Sequence, residues 1–364
     1  MSLRTDDGVR SLLAEAPLID GHNDMISKIR DEAGLDSGTL DLALARPRTL
    51  QTDLVRLAAG GVGAQFWSVW MPCSTTGAAL AAGTLEQFEG IHRLQALHPD
   101  RTALARTADD IERINGEGRI ASLIGVEGGH QILDSLEVLR LFHRLGARYL
   151  TLTHTRNTGW ADSCTDVVDT GGLSDFGRMV VTELNDLGML VDLSHTAHAT
   201  MDAALDVSRA PAFFSHSGAY SVCRHARNVP DPVLERVGST GGIVMAVFLP
   251  TFLSEDLRRW GLARREVRDA AVAGWERRNP PPAVGIADIV RHLDHLREVM
   301  GVDHVGIGSD FDGMTPPPDI PSVEYYPRLF DALDAGGWSR DDLRKLARGN
   351  ALRVLRDTED AARA

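Results

Sequence analysis

Residues 119–130 read RIASLIGVEGGH. The first nine are a nearly continuous apolar run rather than an in/out alternation, which marks a strand buried on both faces. The run ends on a carboxylate, Glu127, followed by a glycine pair and His130. Seven other runs share this character: APLID (16–20), GAQFWSVW (63–70), RYLTLTH (148–154), GMLVDLSH (188–195), APAFFSH (210–216), GIVMAVF (242–248) and DHVGIGSD (303–310). The segments between them, such as SLEVLRLFHRLG (135–146), GRMVVTELNDLG (177–188) and IADIVRHLDHLREVMG (286–301), carry apolar residues at helical spacing and end at glycine. Strand–helix alternation predicts an α/β fold with a parallel sheet, and eight such units close a (β/α)8 TIM-type barrel. No repeat or linker divides residues 1–364, so one barrel domain is expected. The charged stretch 254–283, with its PPP at 280–282, reads as a helical excursion from it.

In such a barrel the C-terminal strand ends converge on one face, where active sites sit. The ends here carry His22 and Asp24, Glu127, His154, His195, His216 and Asp310. His22 and Asp24 stand two apart, so an extended backbone points both the same way. Any one of these histidines taken alone could be an ordinary hydrogen-bonded residue; their joint placement points to metal. Imidazoles with carboxylates favour zinc or a similar divalent ion. The set exceeds what one four-coordinate ion with an open position needs, and suits two ions about 3.5–4 Å apart that share a carboxylate. Lysine occurs only at Lys28 and Lys345, neither at a strand end, so Glu127 is the natural bridge. His130 and His198 lie three residues beyond candidate ligands, while His92, His98, His143, His292, His295 and His304 read as surface or interface residues.

Composition narrows the partners. With 38 Lys+Arg against 51 Asp+Glu the net charge is −13, which argues against nucleic acid. No apolar stretch reaches the ~18–20 residues needed to span a bilayer, and the start, MSLRTDDGVRSLLAEAPLID, lacks a signal-peptide layout. Three scattered cysteines, Cys73, Cys164 and Cys223, fit a reducing compartment, so a cytoplasmic, membrane-free protein is expected. HExxH, GxSxG, GxxxxGK[ST] and a strand-following GxGxxG are all missing.

Taken together, IDGHND (19–24), WSVWMPC (67–73), GVEGGH (125–130), YLTLTHTRNTGWAD (149–162), VDLSH (191–195), FSHSGAYSVCRHARNVPD (214–231), GIGSDFDG (306–313) and GNALRVL (349–355) resemble the renal, or membrane, dipeptidase family of zinc peptidases. The resemblance runs over nearly the whole chain. It implies a binuclear zinc hydrolase of dipeptides, including those with a C-terminal D-residue, working as a homodimer. It implies His22 and Asp24 on one zinc, His195 and His216 on the other, and Glu127 bridging. It further implies His154 binding substrate near the scissile carbonyl, Arg227 receiving the terminal carboxylate, and Asp310 as the acid–base residue beside a zinc-held hydroxide. Animal members join the segment around Cys73 to the one around residue 156 by a disulfide; Arg156 stands at that second position, so the bridge is not expected. Arg156, close after His154, is expected instead to face the cavity and favour an acidic C-terminal D-residue, or to fill the vacated space and pair with a surface acid. Other amidohydrolase activities on the same site, and a silent scaffold, are the competing readings.

Overall fold

The computed structural model describes residues 7–36, 38–41 and 49–363. Its strands are β1 (Leu18–Asn23), β2 (Val62–Trp70), β3 (Thr102–Leu104), β4 (Ile120–Glu127), β5 (Ala147–Thr151), β6 (Leu190–Asp192), β7 (Phe213–Ser217), β8 (Ile243–Ala246) and β9 (Val305–Ile307). All pairings between them are parallel, in the order β2-β1-β9-β8-β7-β6-β5-β4, and a β2–β4 pairing closes the ring into an eight-stranded barrel. The eight expected runs supply those eight strands. The short β3, not anticipated from the sequence, pairs with the start of β4 (Thr102↔Ile120 to Leu104↔Ser122) outside the closed ring. At three residues, with no apolar run around it, it gave periodicity nothing to detect.

Consecutive strand residues go to opposite sides of the wall. Ile19, Phe66, Leu123, Tyr149 and Phe213 belong to one buried cluster, and their neighbours Leu18, Trp67, Ile124, Leu150 and Phe214 to another. Inside the barrel the rings of Phe66, Tyr149 and Phe213 pack with centroids 5.3–5.9 Å apart, an aromatic floor. The second cluster joins the strands to the surrounding helices. Those helices start and stop where local chemistry dictates. Ser135 and Ser174 cap Leu136–Leu145 and Asp175–Leu187 with their hydroxyls, and Gly146 and Gly188 end them in the left-handed region. Within 254–283 lie the helices Glu255–Arg265 and Val272–Arg278, with Trp260 against Trp275.

Candidate metal centre

The period of two that puts Leu123 inside carries Gly125 and then Glu127 inward at the top of β4. Glu127 is the hub of the site. Its Oε2 lies 3.6 Å from His22 Nε2 and accepts a hydrogen bond from Ser68 Oγ at 3.2 Å. Its Oε1 lies 3.0 Å from His195 Nε2, 3.4 Å from His216 Nε2 and 3.7 Å from His154 Nε2. One carboxylate thus turns one oxygen to the His22 imidazole and the other to three imidazoles. Asp24 Oδ2 is 3.4 Å from His22 Nε2, and Asp310 joins His22 and Asp24 within ligating reach of a common point.

Every sequence-predicted residue of this set is brought together, by two different means. His22, Glu127 and His216 sit within strands, and Asp24 follows β1 directly. His154, His195 and Asp310 each lie three residues beyond the end of their strand. His195 and Asp310 take φ of 69° and 67°, left-handed values that a non-glycine residue adopts only when its surroundings impose them. These turns aim both side chains back over the barrel mouth. Close approach is also made possible by glycine. A Cβ on Gly313 would lie 2.1 Å from Asp24 Oδ2, and one on Gly125 would lie 1.8 Å from the Tyr149 ring.

Behind the inward-facing atoms stands a polar shell that sequence reading missed. His22 Nδ1 meets Tyr149 Oη at 2.8 Å, and His216 Nδ1 meets Ser215 Oγ at 2.8 Å. Ser215 donates in turn to the buried Asp192. His154 is backed differently: the Trp70 indole donates to its Nδ1 at 3.3 Å. An indole can only donate, so His154 Nδ1 accepts and the hydrogen of the neutral ring sits on Nε2, facing the site. Cys73 Sγ lies 3.9 Å from the same Nδ1, and the Thr155 hydroxyl donates to that sulfur at 3.6 Å. All three cysteines are free.

Charge settles unevenly over the site. Burial, reinforced by the field of Asp24, pushes the Asp310 carboxyl well above the usual carboxylate range, so it favours holding a proton. Burial also works to raise Glu127, but the surrounding imidazoles, His22 foremost, outweigh it and hold that carboxyl well below its ordinary value. Burial, with Arg227 and a neighbouring imidazole, keeps His195 and His216 far below the ordinary histidine range, hence neutral, the form in which imidazole ligates. His22 Nε2 is buried with no hydrogen-bond partner although it faces two carboxylates. A lone imidazole nitrogen among carboxylates is what a divalent cation would satisfy, so the residues fit a metal.

Arg227 is 3% exposed and sits beside this centre. It donates to His216 O at 3.0 Å and to Ser217 Oγ at 3.4 Å, and lies over Phe252 at 5.4 Å. Its Nε–H is buried and unpaired. A cavity of about 410 Å³ opens over these groups, lined on its flanks by Trp70, Leu249 and Phe252. Arg156 is not brought to it. It is exposed, it is not among the lining residues, and its charge acts on Asp166 in the following loop. Asp166 accepts from the Asn157 backbone N–H at 2.9 Å, closing that loop away from the cavity. His130 bonds to Met71 O and His198 stacks edge-on against Tyr220; neither lines the cavity. His292, expected at a surface or interface, is fully buried between two backbone partners.

The family model for membrane dipeptidase (peptidase family M19) matches residues 7–364. Dipeptidase tcpJ of Claviceps purpurea (strain 20.1) is 38% identical over 358 residues, covering 94% of this chain and 77% of that protein. Dipeptidase 3 of Mus musculus is 38% identical over 355 residues, covering 96% of this chain and 66% of that protein. Among solved structures, a metallo peptidase from Rhodobacter sphaeroides, liganded with a phosphinate mimic of the dipeptide L-Ala-D-Ala, superposes with a TM-score of 0.81 at 28% identity, covering 94% of this chain and 99% of that one. The probable dipeptidase PvdM from Pseudomonas aeruginosa shares the fold, with a TM-score of 0.83 at 22% identity over 97% of this chain and 98% of that one. Among the described residues, no helix is long and apolar enough to cross a membrane.

Proposed function

The chain belongs to the membrane dipeptidase family (peptidase family M19), a family of metallo-dipeptidases, and we propose that it hydrolyses dipeptides, L-Xaa-D-Xaa among them, at a pair of zinc ions. The observation that carries this reading is the Glu127 carboxylate, whose two oxygens face two separate donor sets. His22 and Asp24 would hold one ion and His195 and His216 the other, with Glu127 between them. Two such ions supply a hydroxide at neutral pH and polarise the peptide carbonyl.

The chain's own residues do the rest. Arg227, which lines the cavity, offers its guanidinium to the substrate's terminal carboxylate, a charge-assisted bond in a site of low dielectric. Because the guanidinium is fixed by His216 O and Ser217 Oγ, the carboxylate has one place to sit, and a longer peptide has no carboxylate to put there. His154 presents Nε2–H toward the carbonyl and donates to the oxyanion that develops on it. Asp310, as the carboxylate, takes the proton released by the nucleophile, and the burial that raises its affinity for a proton lets it hold that proton until it passes it to the leaving amine. Trp70 and Phe252 wall the cavity and exclude water from the reacting bond. The relative bound to an L-Ala-D-Ala mimic supports acceptance of a D-residue. Selection of its side chain falls to the lining, with Arg156 lying outside it.

Metal content and turnover measured on one purified sample test the proposal. Two ions per chain are expected, with chelator-sensitive cleavage of L-Ala-L-Ala and L-Ala-D-Ala; L-Ala-D-Asp beside them ranks the C-terminal side chain. Two ions without cleavage of any dipeptide would move the chemistry to other amides or lactones. A chain that neither binds metal nor is activated by it would sink the reading.

A further inference from the structure

Asp192, the last residue of β6, is fully buried, and four donors converge on it. Its Oδ1 accepts from the Ser194 and Ser215 backbone N–H groups, at 3.1 and 2.8 Å. Its Oδ2 accepts from Ser215 Oγ at 2.6 Å and from Thr151 Oγ1 at 2.5 Å. Of the two hydroxyls on Oδ2, only Ser215 also touches an imidazole, His216 Nδ1 at 2.8 Å. Consecutive residues of a regular strand point to opposite faces. Ser215 and His216 meet where the β7–β8 register shifts, between Phe214 and Ser217, an irregularity of the kind that re-aims side chains next to active sites.

Hydrogen counting fixes the direction of this chain of bonds. A carboxylate only accepts, and a serine hydroxyl has one hydrogen to give. With that hydrogen on Asp192, Ser215 Oγ must accept from His216, so Nδ1 carries the imidazole hydrogen. His216 Nε2 is then left with its lone pair, 3.4 Å from Glu127 Oε1. The other acceptor near Ser215, Ser194 Oγ, is farther at 3.4 Å. His154 is the converse case, with a donor behind Nδ1 and the hydrogen toward the cavity. We infer that Asp192 and Ser215 are positioning residues that set the tautomer of His216 and thereby decide that it ligates where His154 donates. The inference rests on the reading of His216 as a ligand of the second zinc.

The test is a zinc titration of the full chain after metal stripping, with 15N-histidine spectra of the stripped chain to locate the imidazole hydrogen. In the wild type the hydrogen is expected on Nδ1 of His216. Ser215→Ala should weaken the second zinc by about 10–100-fold, the usual effect of removing a partner behind a ligand, and leave the first within about threefold. Thr151→Val removes the other hydroxyl from the same carboxylate oxygen and should leave both affinities within about threefold. Asp192→Asn turns an amide donor on Ser215, reverses its hydroxyl toward His216, and should move the hydrogen to Nε2 with a larger loss than Ser215→Ala. Equal losses for Ser215→Ala and Thr151→Val, or a wild-type hydrogen on Nε2, would overturn the inference. If Asp192→Asn does not fold, the serine–threonine pair decides. A wild type that takes up a single zinc would overturn the two-ion reading instead, and the spectra would still report on the tautomer.

Discussion

The two flanks of the Glu127 carboxylate are built on the same clamp and end in different chemistry. On one flank Asp20, fully buried in β1, accepts from the backbone N–H of His22 at 3.2 Å and of Ser309 at 2.9 Å, and from the hydroxyls of Ser309 and Tyr326. On the other, Asp192 accepts from the N–H of Ser194 and Ser215 and from the hydroxyls of Ser215 and Thr151. Each clamp takes the N–H two residues on along the chain and both donors of a serine in or just after the neighbouring strand. A buried carboxylate costs free energy unless its oxygens are satisfied, and here the donors that satisfy it tie adjacent strand ends together. What the clamps present differs. The first flank adds Asp24 and Asp310 to one imidazole, while the second offers His195 and His216. Rigidity comes from the residues behind, and ligand character from those in front.

The largest test of this contrast removes the element the flanks share. Glu127→Gln leaves one oxygen for two donor sets, with an amide N–H₂ facing the other. One zinc per chain should remain, with kcat down by at least ~10⁴-fold because both the ion and the acid–base step that depends on it are lost. Two ions with turnover within tenfold of wild type would remove Glu127 from its bridging role. Asp310→Asn sharpens the first flank. Both ions should stay while kcat falls by ~10²–10⁴-fold and KM moves little, since the proton carrier alone is gone. Loss of an ion in that variant would make Asp310 a ligand beside His22 and Asp24, and no longer the acid–base group. Gly125→Ala acts on the same flank from behind. Its Cβ would fall 1.8 Å from the Tyr149 ring, so Tyr149 must leave His22 Nδ1. The first zinc should weaken by about 10–100-fold and the fold by about 1–3 kcal/mol, with the second zinc untouched. Equal weakening of both ions would mean that the flanks are not independent.

Much of this was legible in the chain itself. Apolar runs long enough to cross the barrel wall announced the closed ring, and polar residues at their ends announced the centre. From the sequence His154, His195 and Asp310 are expected at the ends of their strands, and they lie three residues beyond them, where Leu152, Leu193 and Gly308 still donate to the neighbouring segment and carry the chain on over the barrel mouth. Arg227 stood out only by resemblance: it sits in a loop with no periodicity, and its burial against His216 O is a tertiary fact. The shell was illegible for a related reason. Asp192 and Tyr149 read as ordinary strand residues, and nothing local says that one will collect four donors or the other reach an imidazole 127 positions away. Arg156 drew attention by standing next to His154 in sequence, and the intervening turn carries it outward.

His292 gives the smallest effect at neutral pH, and the one that separates the supporting loops from the flanks. It lies on the helix Ile286–Met300, fully buried, accepting from the Ala219 N–H at 2.9 Å on Nδ1 and donating from Nε2 to Leu253 O at 3.1 Å. It therefore pins the loop after β7, which carries Arg227, to the short helix Pro250–Leu253, which carries Phe252. Both nitrogens are committed, one as an acceptor, so a second proton has no place. Burial, outweighing the bond to Leu253 and aided by Arg291 and His295 against Asp288, brings its pKa from 6.5 down to about 4. The sign follows. Above 6.5 both the folded and the unfolded chain hold His292 neutral, and its contribution to stability is fully present. As the pH falls from 6.5 to 4 the unfolded chain takes up a proton that the folded chain refuses, and stability is lost by about 2–3 kcal/mol. His292→Gln can keep one acceptor and one donor without a titrating group. Urea unfolding of both metal-free chains at pH 7 and pH 4.5 should find the variant's acid loss smaller by about 1–2 kcal/mol, with dipeptide turnover of the zinc-loaded variant near wild type at pH 7. Parallel acid losses in the two chains would place the acid sensitivity on the histidines of the flanks, and His292 would be a packing residue alone.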